Sequence, residues 1–158
     1  MTSHALYFED FEPGQEFISS ARTITEADLT IFAMLSGDWN PVHVDEEFAK
    51  ASAYGKRVVH GLYGPAIMTG FLQQLGIFDG SAIAMLNISQ LNFLKPLLVG
   101  DTVHMRLTIL DARPTKDGTR GVVGRKFRLV KHGGEVAQEM LSDVLVRRRP
   151  DTSTPETF

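Results

Sequence analysis

LYGPAIMTGFLQQL, Leu62 to Leu75, has helical length and carries no charged side chain. A helix with so little polarity on any side predicts burial in the core rather than a place on the surface. Pro65 falls in the first turn, where a missing N–H costs nothing, and Gly76 stops the helix. Gly64 and Gly70 permit close approach of neighbouring backbone. Beyond it the texture changes. Runs rich in Ile, Val, Leu and Thr, at 81–94, 101–112, 119–131 and 135–148, read as strands. Their separators are Pro96 with Val99-Gly100-Asp101, then Pro114 to Gly118, then Lys131-His132-Gly133-Gly134, the last short enough for a hairpin. One buried helix followed by an antiparallel meander predicts an α+β arrangement, a curved antiparallel sheet wrapped around a central helix.

Upstream, residues 7–24 hold aromatic and apolar positions around a Pro13-Gly14 turn. TEADLTIFAMLSG, from Thr25 to Gly37, reads as a capped helix in which Asp28 answers Thr25 in the first turn and Leu29, Phe32 and Ala33 share a face. DEEFAKAS, 45–52, places acids at its start and a lysine near its end, as a helix dipole prefers. No repeat or linker interrupts the chain. The expectation is one domain over 1–149, with PDTSTPETF, 150–158, as a tail.

Composition excludes several functions. A chain of 158 residues, 43% of them hydrophobic, has the make-up of one globular domain able to hold an apolar pocket. It has no cysteine, so thiol nucleophiles, thiolate zinc sites and disulfides are excluded. Its start is acidic where a signal peptide needs basic residues, and no apolar run approaches the ~20 residues of a membrane span. These features predict a cytoplasmic protein with no membrane partner. A formal charge of −3 argues against nucleic acid.

The chemistry-bearing stretch is SGDWNPVH, Ser36 to His43. Pro41 fixes its own φ and pushes Asn40 away from helical dihedrals, so Asp38 and His43 are expected on an ordered loop where Asn40 ties down backbone groups. Three readings stay open on spacing alone: a helix stop followed by a turn, a metal clip using His43 and Asp45 with Asp38, Glu47 or His60, and an acid–base pair. A second segment bears on the choice. In VVHGLYGPAIMTG, His60-Gly61 immediately precedes the buried helix, whose unpaired N–H groups and dipole can stabilise an oxygen that turns negative.

FAMLSGDWNPVH (Phe32 to His43), VVHG (Val58 to Gly61) and NFLKPLLVGD (Asn92 to Asp101), in that order, resemble the MaoC-like dehydratases, or (R)-specific enoyl-CoA hydratases, of the hot dog fold. The likeness covers about residues 10–148. The Asp-x-Asn-Pro-x-His element is its most specific part. The resemblance implies a helix wrapped by an antiparallel sheet, usually a homodimer, and reversible addition of water to the 2,3-double bond of a trans-2-enoyl thioester without a cofactor. It makes Asp38 and His43 the water-activating pair and Gly61 the oxyanion N–H, with Asn40 supporting the loop. Thr69 falls where the family often has a serine bonded to the catalytic aspartate, a departure that keeps the hydroxyl and adds a methyl.

Two rivals are a hot dog acyl-CoA thioesterase and a non-catalytic acyl-CoA or acyl-carrier binding module. The central helix contains no Asp or Glu, which argues against the first, and retention of Asp38 and His43 argues against the second. For a thioester carrying phosphates, Lys56 and Arg57, with Lys95 in the strand-end segment, are the candidate contacts. Arg147-Arg148-Arg149 reads as a solvated end. Tyr63 and Met68 are core residues by default, with substrate contact as the second reading. Trp39 suits the pocket entrance or loop packing equally. His4, His104 and His132 have no partners that would make them ligands.

Overall fold

The structure, a computed structural model, describes residues 5–150, so His4 and the expected tail from residue 151 onward lie outside it. After one 3-10 turn at Phe8–Asp10 the chain forms β1 (Glu16–Ile18) and β2 (Arg22–Thr23), then α1 (Glu26–Ser36), α2 (Pro41–Val44), α3 (Glu46–Ala51) and α4 (Tyr63–Leu75). There follow β3 (Ala82–Met85), β4 (Gln90–Phe93), β5 (Thr102–Pro114), β6 (Arg120–Lys131) and β7 (Val136–Arg147).

The long strands β5, β6 and β7 form the predicted antiparallel meander, and both its outer lanes are split. β1 and β2 pair in turn with β5, and β3 and β4 pair in turn with β7. The sequence reading had 81–94 as one strand and gave no strand to residues 7–24. The first run breaks because Asn87 turns onto β7, where its carbonyl accepts from Ser142 Oγ (2.7 Å) and its side-chain oxygen accepts from the Asp143 N–H (3.1 Å). β1 and β2 are too short to show an alternation, and their pairing depends on β5, far along the chain.

Local chemistry sets the helix ends. The Asp28 carboxylate accepts from the Thr25 N–H (2.8 Å) and hydroxyl (2.9 Å), and Gly37 and Gly76 take left-handed φ of 73° and 67° to close α1 and α4. α4 lies against the concave face of the sheet, burying Tyr63, Ile67, Met68 and Phe71 among residues such as Met105, Leu107, Phe127 and Leu129. Full burial of side chains the size of Met68 and Phe71 is worth about 2–3 kcal/mol each. The expectation that this helix is buried on all sides needs correcting. Ala66, Thr69, Gly70, Gln73 and Gln74 are exposed, because small and amide side chains form a stripe that no element of the same chain covers. Among the described residues, no helix is long and apolar enough to cross a membrane.

The Arg147–Arg149 run is also not merely a solvated end. Arg149 pairs with Asp10 (2.6 Å) and Arg148 with Glu9 (3.5 Å), fastening the last strand to the first turn.

Candidate functional site

His43 lies in α2, a single helical turn, rather than in a loop. Pro41 occupies the first helical position, where it needs no N–H partner, and the Asn40 side chain caps the turn by accepting from the Val42 N–H (3.2 Å). Asp38 precedes the cap, its carboxylate accepting from the Asn40 N–H at 3.2 Å. The turn is laced to the segment before α4. Val58 N–H donates to the Val42 carbonyl at 3.1 Å, His43 Nδ1 lies 2.7 Å from the Val58 carbonyl, and His60 Nε2 lies 2.9 Å from the Asp38 carbonyl.

A carbonyl only accepts, so these contacts fix the tautomers. His43 carries its proton on Nδ1 and His60 on Nε2. The free His43 Nε2 then lies 3.8 Å from Asp38 Oδ2, too far for a direct hydrogen bond and near enough for one water beside the pair to bond both. His60, 2% exposed, stacks beneath His43 with ring centroids 3.9 Å apart and holds the imidazole in plane.

His43 and Gly61 line the same pocket of about 350 Å³, walled by Val59, Phe93, Leu97 and Gln138. The Gly61 N–H donates to nothing among the described residues. Its carbonyl is held at 3.0 Å by Gln138 Nε2, which fixes the peptide at the start of α4. A Cβ at Gly61 would come to 3.0 Å from the Phe93 ring, so glycine leaves the donor accessible. Gln138 was missed in the sequence; the available signal was an amide in phase with Met140, Ser142, Val144 and Val146, the inward positions of β7.

Other expected residues sit differently. The Thr69 hydroxyl donates to the Ala66 carbonyl of its own helix (2.7 Å), not to Asp38, a bond that threonine's branched Cβ favours in a helix. Arg57 is bound at 2.8 Å by Glu46 and by Glu26, so it ties α3 to α1 instead of offering a free cation, whereas Lys56 is exposed. Lys95 rims the His43 pocket and pairs with Glu135 at 3.4 Å. Tyr63 is buried, its hydroxyl close to Asp28 on the far side of α4. Burial and that carboxylate push the phenol well above its ordinary value. Burial works to raise Asp28, but the Thr25 N–H and the Arg22 guanidinium outweigh it and hold the carboxyl at about 2. Trp39 is half exposed, beside the site.

Of the metal donors named from sequence, Asp45 caps α3 through the Phe48 N–H (3.0 Å) and Glu47 pairs with Lys50 (2.7 Å). Asp38, His43 and His60 remain, each offering a donor atom within 4.8 Å of the others.

An antiparallel sheet packed on one long helix, with the His43 imidazole and the Gly61 N–H at that helix's start lining one pocket, is the arrangement of a hot dog protein. The profile of the MaoC like domain matches residues 10–130, and the chain belongs to that family. The Klebsiella aerogenes protein MaoC is 39% identical over 102 residues, covering 65% of this chain, which spans only 30% of that protein's length. An (R)-specific enoyl-CoA hydratase of Rhodospirillum rubrum is 36% identical over 110 residues, 70% of this chain and 74% of the relative. The crystal structure of the MaoC-like dehydratase from Rhodospirillum rubrum superposes with a TM-score of 0.79 at 29% identity, covering 92% of this chain and 99% of that one.

Proposed function

We propose that the chain is a hydro-lyase that reversibly adds water across the 2,3-double bond of a trans-2-enoyl thioester, giving an (R)-3-hydroxyacyl thioester. The observation that carries this reading is the shared pocket of the His43 Nε2 acceptor and the Gly61 N–H, with Asp38 Oδ2 3.8 Å from that nitrogen. A water beside the two side chains donates one hydrogen to Nε2 and the other to the carboxylate. The thioester oxygen accepts from the Gly61 N–H, which the start of α4 backs with its dipole. As hydroxide adds to C3, the pair takes one proton from the water and returns one to C2, so the balance is a water molecule gained and nothing else. The reaction calls for neither metal nor redox cofactor.

Lys95 at the rim and exposed Lys56 are the groups available to the phosphates of a CoA or carrier-bound thioester. A homodimer fits the outer lane of the sheet, where Met85 (54% exposed), Phe93 (55%) and Leu94 (52%) leave an apolar edge beside β7. The family relation and the absence of Asp and Glu from α4 favour hydration over thioester cleavage.

Kinetics on a short trans-2-enoyl-CoA test the assignment. Asp38→Asn and His43→Ala are each expected to lower kcat by about a hundredfold or more without unfolding the chain. Near-normal hydration by both variants, or an (S)-product from the wild type, would overturn it.

A further inference from the structure

Arg125 is 3% exposed, on the helix-facing side of β6 in phase with Val123, Phe127 and Leu129. Its guanidinium lies 5.0 Å from the Phe127 ring centroid and 5.4 Å from that of Phe78. Nη2 donates to Ser142 Oγ (3.2 Å), while Nε is buried without a partner. Among the described residues no carboxylate lies within 4.0 Å of it, and burial lowers its pKa only to about 10, so the group is charged at neutral pH. Its Coulombic support comes from Asp143, which lies beyond 4.0 Å and is itself paired with Arg113 at 2.8 Å, so burial of the cation is only partly compensated and costs stability. The position also faces space. Arg125 lines a cavity of about 290 Å³ together with Thr69, Leu72, Met85, Phe127 and Met140.

This cavity lies further along the inward faces of β6 and β7 than the His43 pocket, with which it shares no lining residue. Leu129 pairs with Gln138, which holds the Gly61 carbonyl, and Arg125 is two inward positions further along the same strand. The separation is about 13 Å of strand, less the reach of the arginine itself. A chain whose thioester oxygen rests at the Gly61 N–H and that follows α4 past Met140 would end near the guanidinium.

We propose that Arg125 binds a carboxylate at the far end of the acyl chain, so that the preferred substrates are enoyl thioesters of dicarboxylic acids. This rests on the hydratase reading above and narrows its substrate class. The planar guanidinium suits a carboxylate, and the apolar Leu72, Phe127 and Met140 suit the methylene chain between the two ends.

The test compares pairs of trans-2-enoyl-CoAs of graded length, one of each pair ending in methyl and the other in carboxylate. The wild type is expected to favour the carboxylate-ended partner in kcat/KM by about tenfold or more at its best length. Arg125→Met, uncharged and of similar length, should lose about a hundredfold on that substrate while keeping or gaining activity on the methyl-ended one. Isothermal titration with the saturated, unreactive carboxyacyl-CoA and acyl-CoA, on wild type and variant, separates the two readings. Tighter, Arg125-dependent binding of the carboxyacyl-CoA without hydration of any enoyl-CoA would retain the carboxylate site and remove the hydratase. Should the variant not fold, the wild-type preference decides. A wild-type preference for methyl-ended chains at every length, or an Arg125→Met variant with an unchanged ratio, would overturn the proposal.

Discussion

Gly64→Ala tests whether Gln138 sets the oxyanion donor. Gly64 lies in the first turn of α4, and a Cβ there would fall 1.8 Å from Gln138 Oε1 and 2.4 Å from its Cδ. Gln138 is 2% exposed and borders open space only in the pocket it walls, so its amide must leave the Gly61 carbonyl and turn toward that pocket. Crowding of this kind costs about 1–3 kcal/mol, and breaking the buried hydrogen bond about another 1–3 kcal/mol. Alanine's better helix propensity offsets about 1 kcal/mol. A net loss near 3 kcal/mol corresponds to a fall in Tm of about 5–10 °C. With the Gly61–Leu62 peptide no longer held, the adjoining Gly61 N–H loses its fixed direction, and kcat/KM on a short trans-2-enoyl-CoA should drop by about tenfold to a hundredfold at temperatures where the variant is fully folded. Gly70→Ala is the control: nothing lies within 4 Å of its Cβ position, and it should raise Tm by about 2–4 °C with activity intact. In a Gln138→Ala background the same Gly64→Ala change should cost almost nothing, a coupling measurable by a double-mutant cycle. If Gly64→Ala alone matches the wild type in both Tm and kcat/KM, the reasoning fails. If Tm falls and kcat/KM does not, Gln138 supports the fold and not the donor.

Asp28 should give the protein an acid limb. Its folded carboxyl is held at about 2 against an ordinary 3.8, so its contribution of about 2 kcal/mol is complete above about pH 4 and is lost as pH falls toward 2. Asp28→Asn is expected to flatten that limb in Tm-versus-pH scans, and an unchanged slope would refute it. Arg57→Ala should lower Tm slightly, by about 1 kcal/mol of lost ion pairing to Glu26 and Glu46, with KM for CoA substrates unmoved; a raised KM would return Arg57 to the substrate site. Exhaustive dialysis against EDTA should leave hydration unchanged. Loss of activity that zinc restores would make the Asp38–His43–His60 cluster a metal centre instead.

What could be read from the sequence was what short-range chemistry dictates. The Thr25–Asp28 cap, the Gly37 and Gly76 stops, Pro65 in the first turn of α4 and the Gly133-Gly134 hairpin each depend on residues a few positions apart. So does the Asn40-Pro41 step, though it starts a helical turn rather than excluding one. Pairings between distant segments were not legible. Arg57 read as a free cation because Glu26 and Glu46 reach it only after α1 and α3 have packed. Thr69 was given the role of a serine that the family resemblance suggested, yet its hydroxyl satisfies Ala66 instead. Arg125 passed unnoticed, although its inward phase with Val123, Phe127 and Leu129 was visible in GVVGRKFRLV.

The three hydrogen bonds that join Val42, His43 and Asp38 to Val58 and His60 have a dynamic consequence. Each bond ties one half of the ladder to the other, so residues 38–44 and 58–61 should open together as one cooperative unit. The Val58 and His43 amides would then exchange with solvent deuterium at a common rate, slower than those of the exposed α3. Loosening any one rung would speed exchange of both, and disorder near the pocket would register as fewer competent molecules rather than a gradual slowing of each.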